Sequence, residues 1–159
     1  MKGNSKKTRR KKTTIIIVTG TPATGKTAVA MAIAMRTNAV YIDVNNIIKK
    51  HKLKEGYDRS RKAAIIDIKK LNKVLINVIK EARKKGFSLV IDSHLSHYLP
   101  KKYVDRCMVT KTPLKKLKQR LQKRGYHKAK IQENLECEIF DICLEEAKEM
   151  GHKMKVINT

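Results

Sequence analysis

Residues 14–36 read TIIIVTGTPATGKTAVAMAIAMR, and this stretch decides the fold. Thr14–Thr19 is a continuous apolar, β-branched run, too short for a helix, and reads as a strand buried on both faces. Lys26–Arg36 is apolar almost all round, the pattern of a helix packed between a sheet and other elements. Between them, Gly20-Thr21-Pro22-Ala23-Thr24-Gly25-Lys26-Thr27 meets G-x-x-x-x-G-K-[ST] at every fixed position. Gly20 and Gly25 let the backbone curl past Pro22, so that the N–H groups of Ala23, Thr24, Gly25 and beyond form a cradle for phosphate oxygens. The helix opening near Lys26 adds the positive end of its dipole. The Lys26 ammonium is placed to reach β- and γ-phosphates, and the Thr27 hydroxyl to hold magnesium. The expected ligands are therefore ATP and Mg2+.

Further along the chain, Ala39–Ile42 reads as a short second strand, Asn45–Lys52 as a polar helix and Glu55–Arg61 (EGYDRSR) as a loop. From Asp67 to Lys85 the apolar residues Ile68, Leu71, Leu75, Val78, Ile79 and Ala82 fall on one helix face, and Gly86 ends that helix. Phe87–Ile91 reads as a third buried strand and Tyr103–Val109 as a fourth. Thr112-Pro113 gives a cap and first turn for a helix running to Arg124, with Gly125 as its stop. Ala129–Met150 reads as one long helix, and Lys153–Ile157 as a final edge strand. Strands alternating with helices predict an α/β fold of the P-loop NTPase type, a parallel sheet with helices on both faces. Ligands then sit beyond the carboxyl ends of the strands. The chain divides into a basic tail at 1–13, expected to be disordered, and one domain at 14–159.

Charge sets the choice of partners. Lysine and arginine total 38 against 14 acidic residues, a net charge of +24. The first fourteen residues carry seven of those cations (Lys2, Lys6, Lys7, Arg9, Arg10, Lys11 and Lys12) and no acid, so most of the excess lies in the domain itself. Such a field favours polyanions such as RNA, a ribosomal particle or nucleotides; a lysine-rich surface serving solubility is the plainer alternative. No run approaches the length of a membrane span, and no secretory leader is expected. Cys107, Cys137 and Cys143 are odd in number and form no CxxC pair, which suits a reduced cytoplasmic protein.

Three further groups carry chemistry. Asp92 ends the apolar FSLVID, where a carboxylate can orient the magnesium shell through water, or can cap a turn. His94, two residues on, reads as an imidazole that positions a water or a substrate hydroxyl, or as a solvated loop residue. His94 and His97 lack third and fourth ligands at metal-binding spacing. Arg120 and Arg124 lie four apart on one helix face and could close over a triphosphate, or could belong to a solvated basic face with Lys115, Lys116, Lys118 and Lys123.

Taken together, GTPATGKT, Asp92-Ser93-His94 and QRLQKRGYHKAKIQENLECEIF resemble the small atypical adenylate kinase family, called adenylate kinase isoenzyme 6 in eukaryotes and also present in archaea. The resemblance runs from about Ile15 to Met150, and Arg120–Asn134 is its most specific part. It implies a nucleoside-monophosphate-kinase-like core with a monophosphate-binding section at about 39–61 and a short lid at about 113–130. It also implies transfer of phosphate from ATP to AMP or another nucleoside monophosphate, with some ATPase activity. Lys26, Thr27, Asp92 and His94 match the phosphate, magnesium and catalytic positions, and Arg120 and Arg124 fall at the lid. The resemblance further implies a part in small ribosomal subunit biogenesis and rRNA processing, with the ribosomal protein uS11 as partner and rRNA as a further contact. The chain departs from the family at Val44-Asn45-Asn46-Ile47-Ile48-Lys49, where members have Gly-Asp before an Arg, and at Leu95-Ser96, where eukaryotic members have Cys-Asp. These changes bear on monophosphate specificity and turnover, and leave triphosphate binding intact. An ATP-driven assembly factor and a kinase of another nucleotide or a nucleoside are the rival readings.

Overall fold

The computed structural model describes residues 12–159; most of the basic tail expected at 1–13 lies outside the described residues. The apolar run after the tail forms the central strand β1 (Ile15–Thr19), every residue of it buried. It is flanked by β5 (Leu89–Asp92) and β6 (Arg106–Lys111), with β2 (Val40–Asp43) and β7 (Met154–Asn158) at the edges. All four pairings are parallel, in the order β2-β5-β1-β6-β7. The register sets Val18 beside Asp92 and Asp43 beside Asp92. The carboxyl ends of β1, β2 and β5 are therefore level, and whatever follows them converges.

Side chains alternate along β1 between two cores, as a pleated strand requires. Ile16 and Val18 meet Ala30 and Ala34 of α1 (Lys26–Thr37) on one face. Ile15 and Ile17 on the other meet Val44 and Ile48 of α2 (Val44–Lys50), Leu71, Leu75 and Ile79 of α3 (Ile68–Lys85), and Ala147 of α6 (Ile142–Glu149). Truncating one of these wholly buried leucines to alanine costs about 2–5 kcal/mol. Among the described residues no helix is long and apolar enough to cross a membrane.

Four local expectations are corrected. Glu55–Arg61 is not a loop: β3 (Lys54–Asp58) pairs antiparallel with β4 (Ala63–Ile66). The segment is almost wholly exposed and so lacks apolar alternation. Its turn is held by the Asp58 carboxylate, which accepts from the N–H groups of Ser60 and Arg61. The strand expected from Tyr103 begins at Arg106, because Pro100 starts a short 3-10 turn at Lys101–Tyr103 and Asp105 caps the N–H of Ile15.

Thr112 does not cap α4 (Leu114–Lys123); that helix opens at Pro113 without a side-chain cap. The long helix expected at Ala129–Met150 is two, α5 (Lys128–Ile139) and α6, broken where Asp141 takes a left-handed φ of 53°. Asp141 pairs with Lys111 at the end of β6. Apolar spacing continues through the break, so periodicity does not reveal it.

Candidate active site

The loop between β1 and α1 owes its shape to contacts that admit glycine alone. Gly20 has φ 142°, and a Cβ there would lie 2.4 Å from Thr110 Oγ1 and 2.6 Å from the Thr110 carbonyl. Gly25, at φ 82°, precedes α1 without a side-chain cap, which leaves the first N–H groups of the helix for a ligand. Behind the loop, the Thr24 hydroxyl bonds to the Thr21 carbonyl at 2.7 Å and to the Thr110 hydroxyl at 2.6 Å. A third small core of Ala23, Leu117 and Leu121, with Tyr126, Ile131 and Leu135 against it, seats the loop on α4 and α5.

In front of the loop lies a cavity of about 300 Å³. Its walls include Pro22, Ala23, Gly25, Lys26, Thr27, Asn45, Asp92, Ser93, His94, Arg124 and Tyr126. The Lys26 ammonium donates to the carbonyls of Gly20 and Thr21, both at 2.9 Å. Burial pulls its pKa down to about 8, against the opposing pull of Cys143 and Asp92. The Thr27 hydroxyl donates to Asp92 Oδ2 at 2.7 Å, and Tyr41 donates to the same oxygen at 2.9 Å. Burial first, then the bond to Asp92, push the Tyr41 phenol up to about 12. His94 opens onto the cavity from the turn after β5. The surrounding protein first, then the Lys26 ammonium, lower its imidazole to about 4. Its surface faces the cleft and meets water, and the lowered value leaves the ring neutral at pH 7.

The two arginines expected at a lid part company. Arg124 lines the cavity. Arg120, one turn earlier, is tied behind the loop, donating to the Ala23 carbonyl at 3.2 Å and to the hydroxyls of Thr112 and Thr159 at 3.3 Å. Lys26, Thr27, Asp92, His94 and Arg124 are thus brought to one cavity, while Gly20, Thr24 and Arg120 shape the loop from outside it. His97 turns the other way, into the core. Its Nδ1 meets the Thr19 hydroxyl at 2.7 Å and its Nε2 meets Glu146 at 2.9 Å, a neutral ring donating to the carboxylate and accepting from the hydroxyl.

Sequence reading missed Tyr41, Asn45, Tyr126 and Glu138. Glu138 is a buried carboxylate that accepts from the Thr21 hydroxyl at 2.7 Å and the Thr112 N–H at 2.9 Å. The signal available was a lone acid inside the otherwise apolar CEIF. Thr27 and Asp92 offer hard oxygens side by side, and no cluster of three or more His, Cys, Asp or Glu side chains forms among the described residues. That donor set fits magnesium, which keeps several waters and takes its remaining ligands from substrate phosphates.

The chain is similar to known proteins in both sequence and fold. The AAA domain family matches residues 16–141. An adenylate kinase isoenzyme 6 homolog of Dictyostelium discoideum is 34% identical over 142 residues, 89% of this chain and 78% of that protein. A homolog of the same name in Caenorhabditis elegans is 35% identical over 134 residues, 84% of this chain and 72% of that protein. Among solved structures, a sugar kinase from a Janibacter species superposes with a TM-score of 0.58 at 18% identity. The superposition covers 92% of this chain and 85% of that one, a likeness of fold alone.

Proposed function

The chain belongs to the adenylate kinase isoenzyme 6 family, and on that premise we propose that it transfers the γ-phosphoryl group of ATP to AMP, giving two ADP. The observation that carries this reading is the meeting of Lys26, Thr27, Asp92, His94 and Arg124 around one cavity at the carboxyl ends of β1 and β5. ATP lies with its phosphates on the Gly20–Thr27 backbone. Lys26 leaves the carbonyls of Gly20 and Thr21 for the β- and γ-oxygens. Thr27 directly, and Asp92 through water, would hold magnesium, which neutralises charge on the phosphates when bound.

An oxygen of the AMP phosphate attacks the γ-phosphorus in line. The bond to the β–γ bridging oxygen breaks, and ADP leaves. Arg124 spreads the charge of the transferring group, while His94, neutral, orients the attacking oxygen by a hydrogen bond. Arg120 keeps the loop in shape from behind. The 39–61 section, with the β3–β4 hairpin that begins inside it and runs on to Ile66, forms the acceptor side, and 113–130 the lid. Lys130 at the end of the lid donates to the Lys62 carbonyl of the hairpin at 2.9 Å, and Glu133, just beyond it, pairs with Arg61 at 3.5 Å. The test is ADP formation from ATP with and without AMP: strong AMP dependence supports the reading, and a rate indifferent to AMP sinks it.

A second reading, an ATPase that serves ribosome assembly, is favoured by the acceptor wall. Asn45, Ser93 and neutral His94 line it, and Lys49 stands where the family has an arginine. A wall of that kind suits water as the acceptor. The net charge of +24 suits a ribosomal particle or rRNA in the cytoplasm, and the family resemblance adds the ribosomal protein uS11 as a partner. Release of phosphate without AMP, stimulated by a ribosomal partner, would favour it.

A further inference from the structure

Asp92 receives two hydroxyl donors on one oxygen. Thr27 and Tyr41 both bond to Oδ2, at 2.7 and 2.9 Å, while Oδ1 accepts no hydrogen bond among the described residues and Asp92 lines the cavity. The two donors differ in how firmly they are placed. Thr27 sits at the exposed first turn of α1 and is the loop's own hydroxyl for the cation. Tyr41 stands on β2, its ring packed against the core of Ile16, Val18, Ala30, Ala34, Val90 and Met108. Its register partner Val90 precedes Asp92 by two residues on the adjacent strand. The phenol is thereby fixed by sheet and core, and the threonine only by its own rotamer.

We propose that Tyr41 is a positioning residue. Its hydroxyl holds the Asp92 carboxylate with Oδ1 turned to the cleft, so that the acid stays aimed when Thr27 gives up its bond to serve the cation. A carboxylate with both donors gone would rotate freely about its last torsion, which is broad, and the water shell it orients would lose its template. This inference rests on the reading that the cleft takes a magnesium triphosphate.

The test is calorimetric titration of full-length wild type and Tyr41→Phe with a non-hydrolysable ATP analogue, once in EDTA and once in excess magnesium. Phenylalanine keeps the ring, and an unchanged melting temperature checks the fold. Affinity in EDTA is expected to match wild type within about twofold, while the tightening that magnesium gives falls about tenfold. Turnover of the variant should be low at limiting magnesium and recover as magnesium is raised, a rescue that a merely structural defect would not show. Unaltered magnesium tightening in Tyr41→Phe overturns the inference, as does an equal loss of affinity in both buffers. A wild type that binds no triphosphate in either buffer removes the parent reading, and this inference with it.

Discussion

The Thr21 hydroxyl in the phosphate loop donates to a carboxylate oxygen of Glu138, 117 residues later in the chain, at 2.7 Å. The other oxygen accepts the N–H of Thr112 at 2.9 Å, so one buried acid on α5 fastens both the loop and the turn that leads into α4. Truncation leaves a hydroxyl and an amide buried without partners. We expect Glu138→Ala to cost about 2–4 kcal/mol in urea unfolding, and Glu138→Gln clearly less, because the amide oxygen still receives the Thr112 N–H.

Gly20 admits no side chain. The carbonyl oxygen 2.6 Å from an added Cβ belongs to the backbone of β6 and cannot swing aside, and φ is strained for any other residue. Gly20→Ala is expected to destabilise the protein by about 2–4 kcal/mol and to weaken ATP binding more than tenfold, read by thermal melting and calorimetry. Gly86→Ala, whose Cβ would meet nothing within 4 Å, should cost about 1–2 kcal/mol from its positive φ alone and leave ATP binding unchanged.

Lys26→Ala should lower turnover at least about a thousandfold while the protein stays folded. The pH dependence is a second check. The folded pKa, about 8, lies below the ordinary 10.5, so between these values the unfolded chain binds a proton that the folded chain does not. Stability at this residue therefore rises with pH across that window, and the rise disappears in Lys26→Ala. Activity moves the other way: kcat/KM for ATP falls above about pH 8, whereas the limb in kcat lies higher because bound phosphates favour the charged ammonium.

His94→Ala should slow turnover about 10²-fold with ATP affinity within about threefold of wild type, since the ring lines the cavity and makes no hydrogen bond to the loop among the described residues. Because the imidazole is held near 4, its protonation contributes no acid limb between pH 6 and 8. An inflection near pH 6.5 that vanishes in the alanine variant would contradict the neutral role.

The parts of this molecule written in short, contiguous spans could be read from residues alone. The loop and its flanking strand and helix are one unbroken stretch, and Asp92 stands out because a carboxylate ends an apolar strand. What escaped depends on residues far apart. Nothing near Thr21 announces Glu138, and nothing near Asp92 announces Tyr41, 51 residues earlier. The four-residue spacing of Arg120 and Arg124 fits a shared task over a triphosphate or a solvated basic face, and cannot show that the loop carbonyl at Ala23 accepts from the first while the second lines the cavity. The exposed hairpin and the break at Asp141 were hidden for a common reason. Both are set by turn geometry and hydrogen bonding, and neither disturbs the apolar pattern from which elements are inferred.

The β3–β4 hairpin hydrogen-bonds as a sheet of its own and shares no ladder with the five parallel strands. Its polar attachments among the described residues include the exposed pairs of Glu55 with Lys70 and Arg61 with Glu133 and the Lys130 ammonium on one carbonyl, and Ile66 at its end packs against the core. Such an appendage can be swapped for another of different length or charge without re-registering a single central strand. On the proposed reading, the donor grip is built into the middle of the sheet and the choice of acceptor is left to this separate hairpin, free to diverge while the strands beneath it stay the same.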